Sequence, residues 1–78
     1  MLTYKFHKND GDLAFYYYYP QGGGAAGTVS INKKTGESAV VKSSSDDLGN
    51  RFAFKLIKML KDFFANNEYK ESGTIAWY

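Results

Sequence analysis

The chain of 78 residues predicts an α+β fold: a four-stranded antiparallel meander with one face covered by a single long helix, plus a short C-terminal strand, in the order β-β-β-β-α-β. Three observations predict it. Through the first half, apolar residues alternate with polar ones, which is the period of strands with one buried face. From Leu48 to Phe64 the period changes to that of an amphipathic helix. Clusters of Asn, Asp, Gly and Pro separate the alternating runs, as hairpin connections require. A sheet with one apolar face and a helix with one apolar side bury both by packing together, as one domain over residues 1–78.

In order, Leu2, Tyr4 and Phe6 alternate with Thr3, Lys5 and His7 and are expected to face the core. Lys8-Asn9-Asp10-Gly11 supplies turn chemistry. In the returning run, DLAFYYYY, the preferred phase turns Leu13, Phe15 and Tyr17 inward and leaves Tyr16 and Tyr18 on the opposite face. A slip of one residue reverses that assignment. Pro20 ends the strand, and Gln21 to Ala26 reads as a mobile connection because glycine leaves the backbone permissive. Gly27 to Asn32 resumes the alternation with Val29 and Ile31 inward, and Gly36 is placed to close a bulged hairpin in the left-handed region. Ser38 to Lys42 follows as the fourth strand, with either Ala39 and Val41 or Val40 alone facing inward.

Ser43-Ser44-Ser45-Asp46-Asp47 offers oxygen acceptors and negative charge to the start of a helix. Along that helix Phe52, Ala53, Leu56, Ile57, Leu60, Phe63 and Phe64 gather on one side, with Gly49 allowing close approach and Met59 at the edge. Arg51, Lys55, Lys58, Lys61 and Asp62 take the other side, together with Phe54, a large apolar group outside the core stripe. Asn66 or Asn67 is expected to close the helix in a left-handed conformation. Thr74 to Tyr78 reads as the last strand, joining either a sheet edge or a second subunit.

Composition narrows the function classes. A domain this short has a small core, and without cysteine it gains nothing from a disulfide or a thiolate-bound metal. A net charge of +2 does not by itself call for an acidic partner. With no long apolar run and no exported-type leader in the sequence, a cytoplasmic protein is expected. His7 is the one histidine and falls on the solvent phase of its strand, while each carboxylate has a place in a turn, a cap or an exposed helix position. No general base is placed beside the serine triplet, and Gly22-Gly23-Gly24 lacks the Lys-Ser/Thr ending and the helix of a phosphate loop. No catalytic centre, metal site or cofactor is therefore expected.

Two surfaces remain. One combines Tyr16 and Tyr18 with Tyr78, and with Lys5 and Thr28, on the sheet face away from the helix. The other is the helix face of Arg51, Phe54, Lys55, Lys58 and Lys61. Seven Tyr, six Phe and one Trp in so short a chain give surface to offer as well as to bury. The expected function is a small non-catalytic binding or assembly module that forms a homodimer; the alternative is a single-stranded nucleic-acid-binding protein using the exposed tyrosines and the basic helix face. In element order, four strands followed by a helix, the chain resembles the repeat unit of the Pur-alpha and Whirly single-strand-binding modules. That resemblance implies nucleic-acid binding without assigning any residue a role, and the strand after the helix departs from the plain unit.

Overall fold

A computed structural model describes residues 1–75. Five strands, β1 (Leu2–Asp10), β2 (Leu13–Tyr19), β3 (Gly27–Asn32), β4 (Ser38–Lys42) and β5 (Ser72–Ile75), form one antiparallel sheet in the order β4-β3-β2-β1-β5. The helix α1 (Arg51–Asn66) lies across one face, with Ala53, Leu56, Leu60 and Phe63 buried against it. The predicted α+β architecture is borne out. Of the two places open to the last strand, the structure takes the sheet edge: β5 pairs with β1, Leu2 opposite Ile75. The rest of the strand expected over Thr74 to Tyr78 lies outside the described residues.

The β1–β2 hairpin turns on two residues, Gly11 and Asp12, with Gly11 at φ 59 as a tight hairpin requires. Lys8 to Asp10, expected in the turn, instead extend β1. From the turn the register runs Asp10 opposite Leu13, Asn9 opposite Ala14 and Lys8 opposite Phe15, then shifts, so that Phe6 lies opposite Tyr16. His7 is the extra residue of a β-bulge. Its consequence is large. An unbroken register would put Phe6 opposite Tyr17, and directly opposed residues share a face. The bulge moves the pairing by one and sends Ala14, Tyr16 and Tyr18 to the helix side.

The inward phase expected for Leu13, Phe15 and Tyr17 is therefore wrong, and Tyr16 and Tyr18, expected on the open face, are 1% and 0% exposed. The pairing with β3 agrees, since Tyr16 lies opposite Val29 and Ala14 opposite Ile31, both of which are buried. On β4 the alternative of Val40 inward is the one realised, with Val40 opposite Val29 and a second register shift leaving Val41 exposed.

Burying tyrosines demands partners for their hydroxyls. Tyr16 donates to the Lys70 carbonyl at 2.9 Å, and the Ser44 amide donates to the Tyr18 hydroxyl at 3.0 Å. Tyr16 also packs edge-on against Tyr4 and Phe6, with centroids 6.1 and 5.6 Å apart. Two of the buried tyrosine rings lie over glycines on neighbouring strands. Tyr18 covers Gly27, its direct partner, and Tyr4 covers Gly73.

A 3₁₀ turn at Leu48–Asn50 precedes α1. Gly49 has φ 74 there and a Cβ added to it would meet nothing within 4 Å, so it serves the turn and not the close approach expected of it. Asp47 caps the helix. Its two carboxylate oxygens accept from the Phe52 and Ala53 amides, each at 3.0 Å, satisfying two of the free donors at the helix start. Ser44 works one step earlier, donating to the Ala25 carbonyl at 2.7 Å and accepting from the Asp46 amide at 3.0 Å. With Ala25 also donating to Asp46 at 3.1 Å, the end of the glycine-rich connection is tied to the helix entrance, not free as its composition suggests. Asn67 closes α1 at φ 51, as anticipated, while Glu68 donates to Phe63 at 3.0 Å. Gly36 likewise takes the left-handed position expected of it, at φ 80.

Candidate functional site

The sheet face away from α1 is built from the residues that the bulge turns outward. Along β2 these are Leu13, Phe15, Tyr17 and Tyr19, all half-buried, with successive rings about 7 Å apart as strand geometry dictates. On β1, Lys5 lies opposite Tyr17, Thr3 opposite Tyr19 and Lys8 opposite Phe15. Thr28 of β3 is opposite Tyr17 from the other side, and Lys42 of β4 is opposite Thr28. The centre is an aromatic row with lysines along its flanks.

Local contacts hold that row. His7, exposed in the bulge, stacks on Tyr17 with centroids 4.4 Å apart and planes at 31°, and its Nε2 lies 3.2 Å from the Tyr17 hydroxyl. The Lys8 ammonium sits 5.6 Å from the centroid of Phe15, within cation–π range. Where Tyr19 ends the row, a cleft of about 520 Å³ opens against the loop at Gly22 and Gly23.

The helix contributes a separate surface. Arg51, Lys55, Lys58 and Lys61 are exposed on the side of α1 turned from the sheet, and Phe54 among them is 58% exposed. Leu48, in the turn before the helix, is 88% exposed. Because α1 covers the inner face, these basic residues and the outer aromatic row stand on opposite sides of the two layers.

Of the residues singled out from the sequence, the structure places Lys5 and Thr28 on the open face and the basic residues and Phe54 on the outer helix face. Tyr16 and Tyr18 belong to the core, where burial pushes both phenols up, that of Tyr16 to about 12. Tyr78 lies outside the described residues. Sequence reasoning missed Phe15, Tyr17 and Tyr19 as surface residues, because the face of β2 depends on a one-residue bulge that no turn residue marks. His7 is exposed, as its strand phase predicts, and Lys8 is exposed on β1 where a turn was expected.

Among the described residues, no helix is long and apolar enough to cross a membrane. Together the architecture and its surface define a small sheet-and-helix domain whose second sheet face is open and aromatic. No protein-family model, curated protein or solved structure matches this chain.

Proposed function

We propose that the protein is a non-catalytic cytoplasmic module that binds single-stranded nucleic acid across its open sheet face. The observation that carries this is the coincidence of the Phe15, Tyr17 and Tyr19 row with Lys5 and Lys8 on one face. Unpaired bases stack on aromatic rings while nearby cations neutralise phosphates, so rings and charges must be neighbours. With Tyr16 and Tyr18 as the rings and the helix as the charge, they would be on opposite sides; with the bulge in place they adjoin. The same lysines oppose a face-to-face homodimer, since two-fold symmetry would bring like-charged patches together.

Fluorescence anisotropy with a labelled thymidine oligonucleotide provides the test. Tyr17→Ala is expected to weaken binding by about 5- to 150-fold, the equivalent of roughly 1–3 kcal/mol for one lost stacking contact. Lys5→Ala is expected to reduce the salt slope by about 0.7. Absence of binding by the parent protein at low salt eliminates the proposal.

Self-association retains a place because Leu48 and Phe54 are large apolar groups left open at the start of α1. With Arg51 and Lys58 one helical turn on either side of Phe54, a second copy docking here meets like charge, which salt screens. Dimerisation should then strengthen as salt rises, opposite to nucleic-acid binding. Sedimentation velocity is expected to show a dimer at high salt that Phe54→Ser disperses; a monomer at high micromolar concentration in high salt excludes it.

A further inference from the structure

The aromatic row ends in the cleft beside Tyr19, and the strand register fixes what lies on its floor. Thr74 of β5 is opposite Thr3 of β1, and Thr3 is opposite Tyr19 of β2; one step along, Ser72 is opposite Lys5. Crossing the sheet from Tyr19, the outer surface thus changes from an aromatic ring to two threonine hydroxyls, with an ammonium group and a serine hydroxyl in the next row. The loop at Gly23 forms the wall, and a Cβ added to Gly23 would meet nothing within 4 Å, so the backbone there leaves the space open. At about 520 Å³ the cleft falls within the size range of small-molecule sites.

Tyr17 has one threonine, Thr28, opposite it and Phe15 has the buried Ser30, but neither ring borders the cleft, and open ring faces accept every base because every base has a π-face. Hydroxyls differ in kind. Each can donate and accept, so a pair of them beside a stacking ring can meet the polar edge of a base, and edges are where bases differ. Resting on the proposed single-strand binding, we infer that the cleft is a base-selective subsite for one nucleotide, with the base stacked on Tyr19, its edge toward Thr3 and Thr74, and a phosphate at Lys5. Phe15 and Tyr17 then supply affinity that is indifferent to sequence, and the cleft supplies the preference.

Labelled thymidine, adenosine and cytidine homo-oligonucleotides of equal length, titrated in one buffer, read this directly. Affinities are expected to differ at least about fivefold between the best and worst base. The double variant Thr3→Val/Thr74→Val keeps β-branched side chains at both strand positions and should narrow the spread to under about twofold. Tyr17→Ala should weaken all three by a common factor and leave their ratio intact. Binding with equal affinity for the three, or a preference that the double variant leaves unchanged, overturns the subsite while the aromatic row stands. Failure of all three to bind removes the underlying proposal and the subsite with it.

Discussion

Tyr16→Ala is expected to unfold the domain. The ring is 1% exposed, packs edge-on against Tyr4 and Phe6, and gives its hydroxyl to the Lys70 carbonyl at 2.9 Å. Removing a buried aromatic ring costs about 3–5 kcal/mol, because the lost transfer energy is joined by the energy of the cavity left behind. A chain of this length has a total stability of the same order. Thermal or urea unfolding of Tyr16→Ala should therefore show no cooperative native transition, and a variant within about 1 kcal/mol of the parent would mean that the ring is not in the core. Tyr16→Phe keeps the ring and loses one hydrogen bond, at a cost of about 1 kcal/mol.

The Phe variant also isolates a pH effect. Burial, with smaller contributions from Tyr4, Tyr69 and Glu71, holds the Tyr16 phenol near 12 in the folded chain, against 10.0 for an unperturbed tyrosine. The unfolded state gives up this proton first, so the stabilisation is complete below pH 10 and is lost as pH rises through about 12. Far-ultraviolet circular dichroism should follow alkaline unfolding in that window, and Tyr16→Phe should shift it upward. The remaining shift in the variant belongs to Tyr4, Tyr18 and Tyr69, whose phenols burial also raises.

The choice between Tyr16 and Tyr17 as the buried ring separates what was legible in the sequence from what was not. β1, β3 and the helix announced themselves through periodicity, β2 and β4 through the turn residues that bound them, and the Asn67 and Gly36 positions followed from the left-handed conformations those residues tolerate. The phase of β2 did not, because LAFYYYY is apolar or aromatic at every position and so carries no alternation. Register decided it, and the register turns on His7, a residue with no bulge signature of its own. The helix cap shows the same limit. Serines and aspartates before the helix marked its entrance, but the choice of Asp47 depended on a 3₁₀ turn that carries the cap past Leu48 to the Phe52 and Ala53 amides. The charged helix face and the outward place of Lys5 were legible; the aromatic row beside Lys5 inherited the error in β2.

Gly27→Ala is expected to destabilise the protein by about 3 kcal/mol or more, the upper end of the cost of overpacking a filled core. General expectation points the other way. Gly27 does not have positive φ, and alanine at a compatible glycine position usually stabilises by about 0.4–1 kcal/mol through the unfolded chain. Here the added Cβ would overlap the ring of Tyr18, its direct cross-strand partner. That ring has no route of escape, being 0% exposed with its hydroxyl held by the Ser44 amide at 3.0 Å. To admit the methyl group, either β3 must move from β2 or the tyrosine must abandon Ser44, and both loosen the junction between the sheet and the helix entrance. Gly23 provides the control, because it also lacks positive φ and a Cβ there would meet nothing within 4 Å. In paired urea melts Gly23→Ala should be neutral or slightly stabilised and Gly27→Ala strongly destabilised; equal stabilities for the two would mean that Tyr18 does not lie over Gly27, and the burial of the Tyr16 and Tyr18 face of β2 would fall with it.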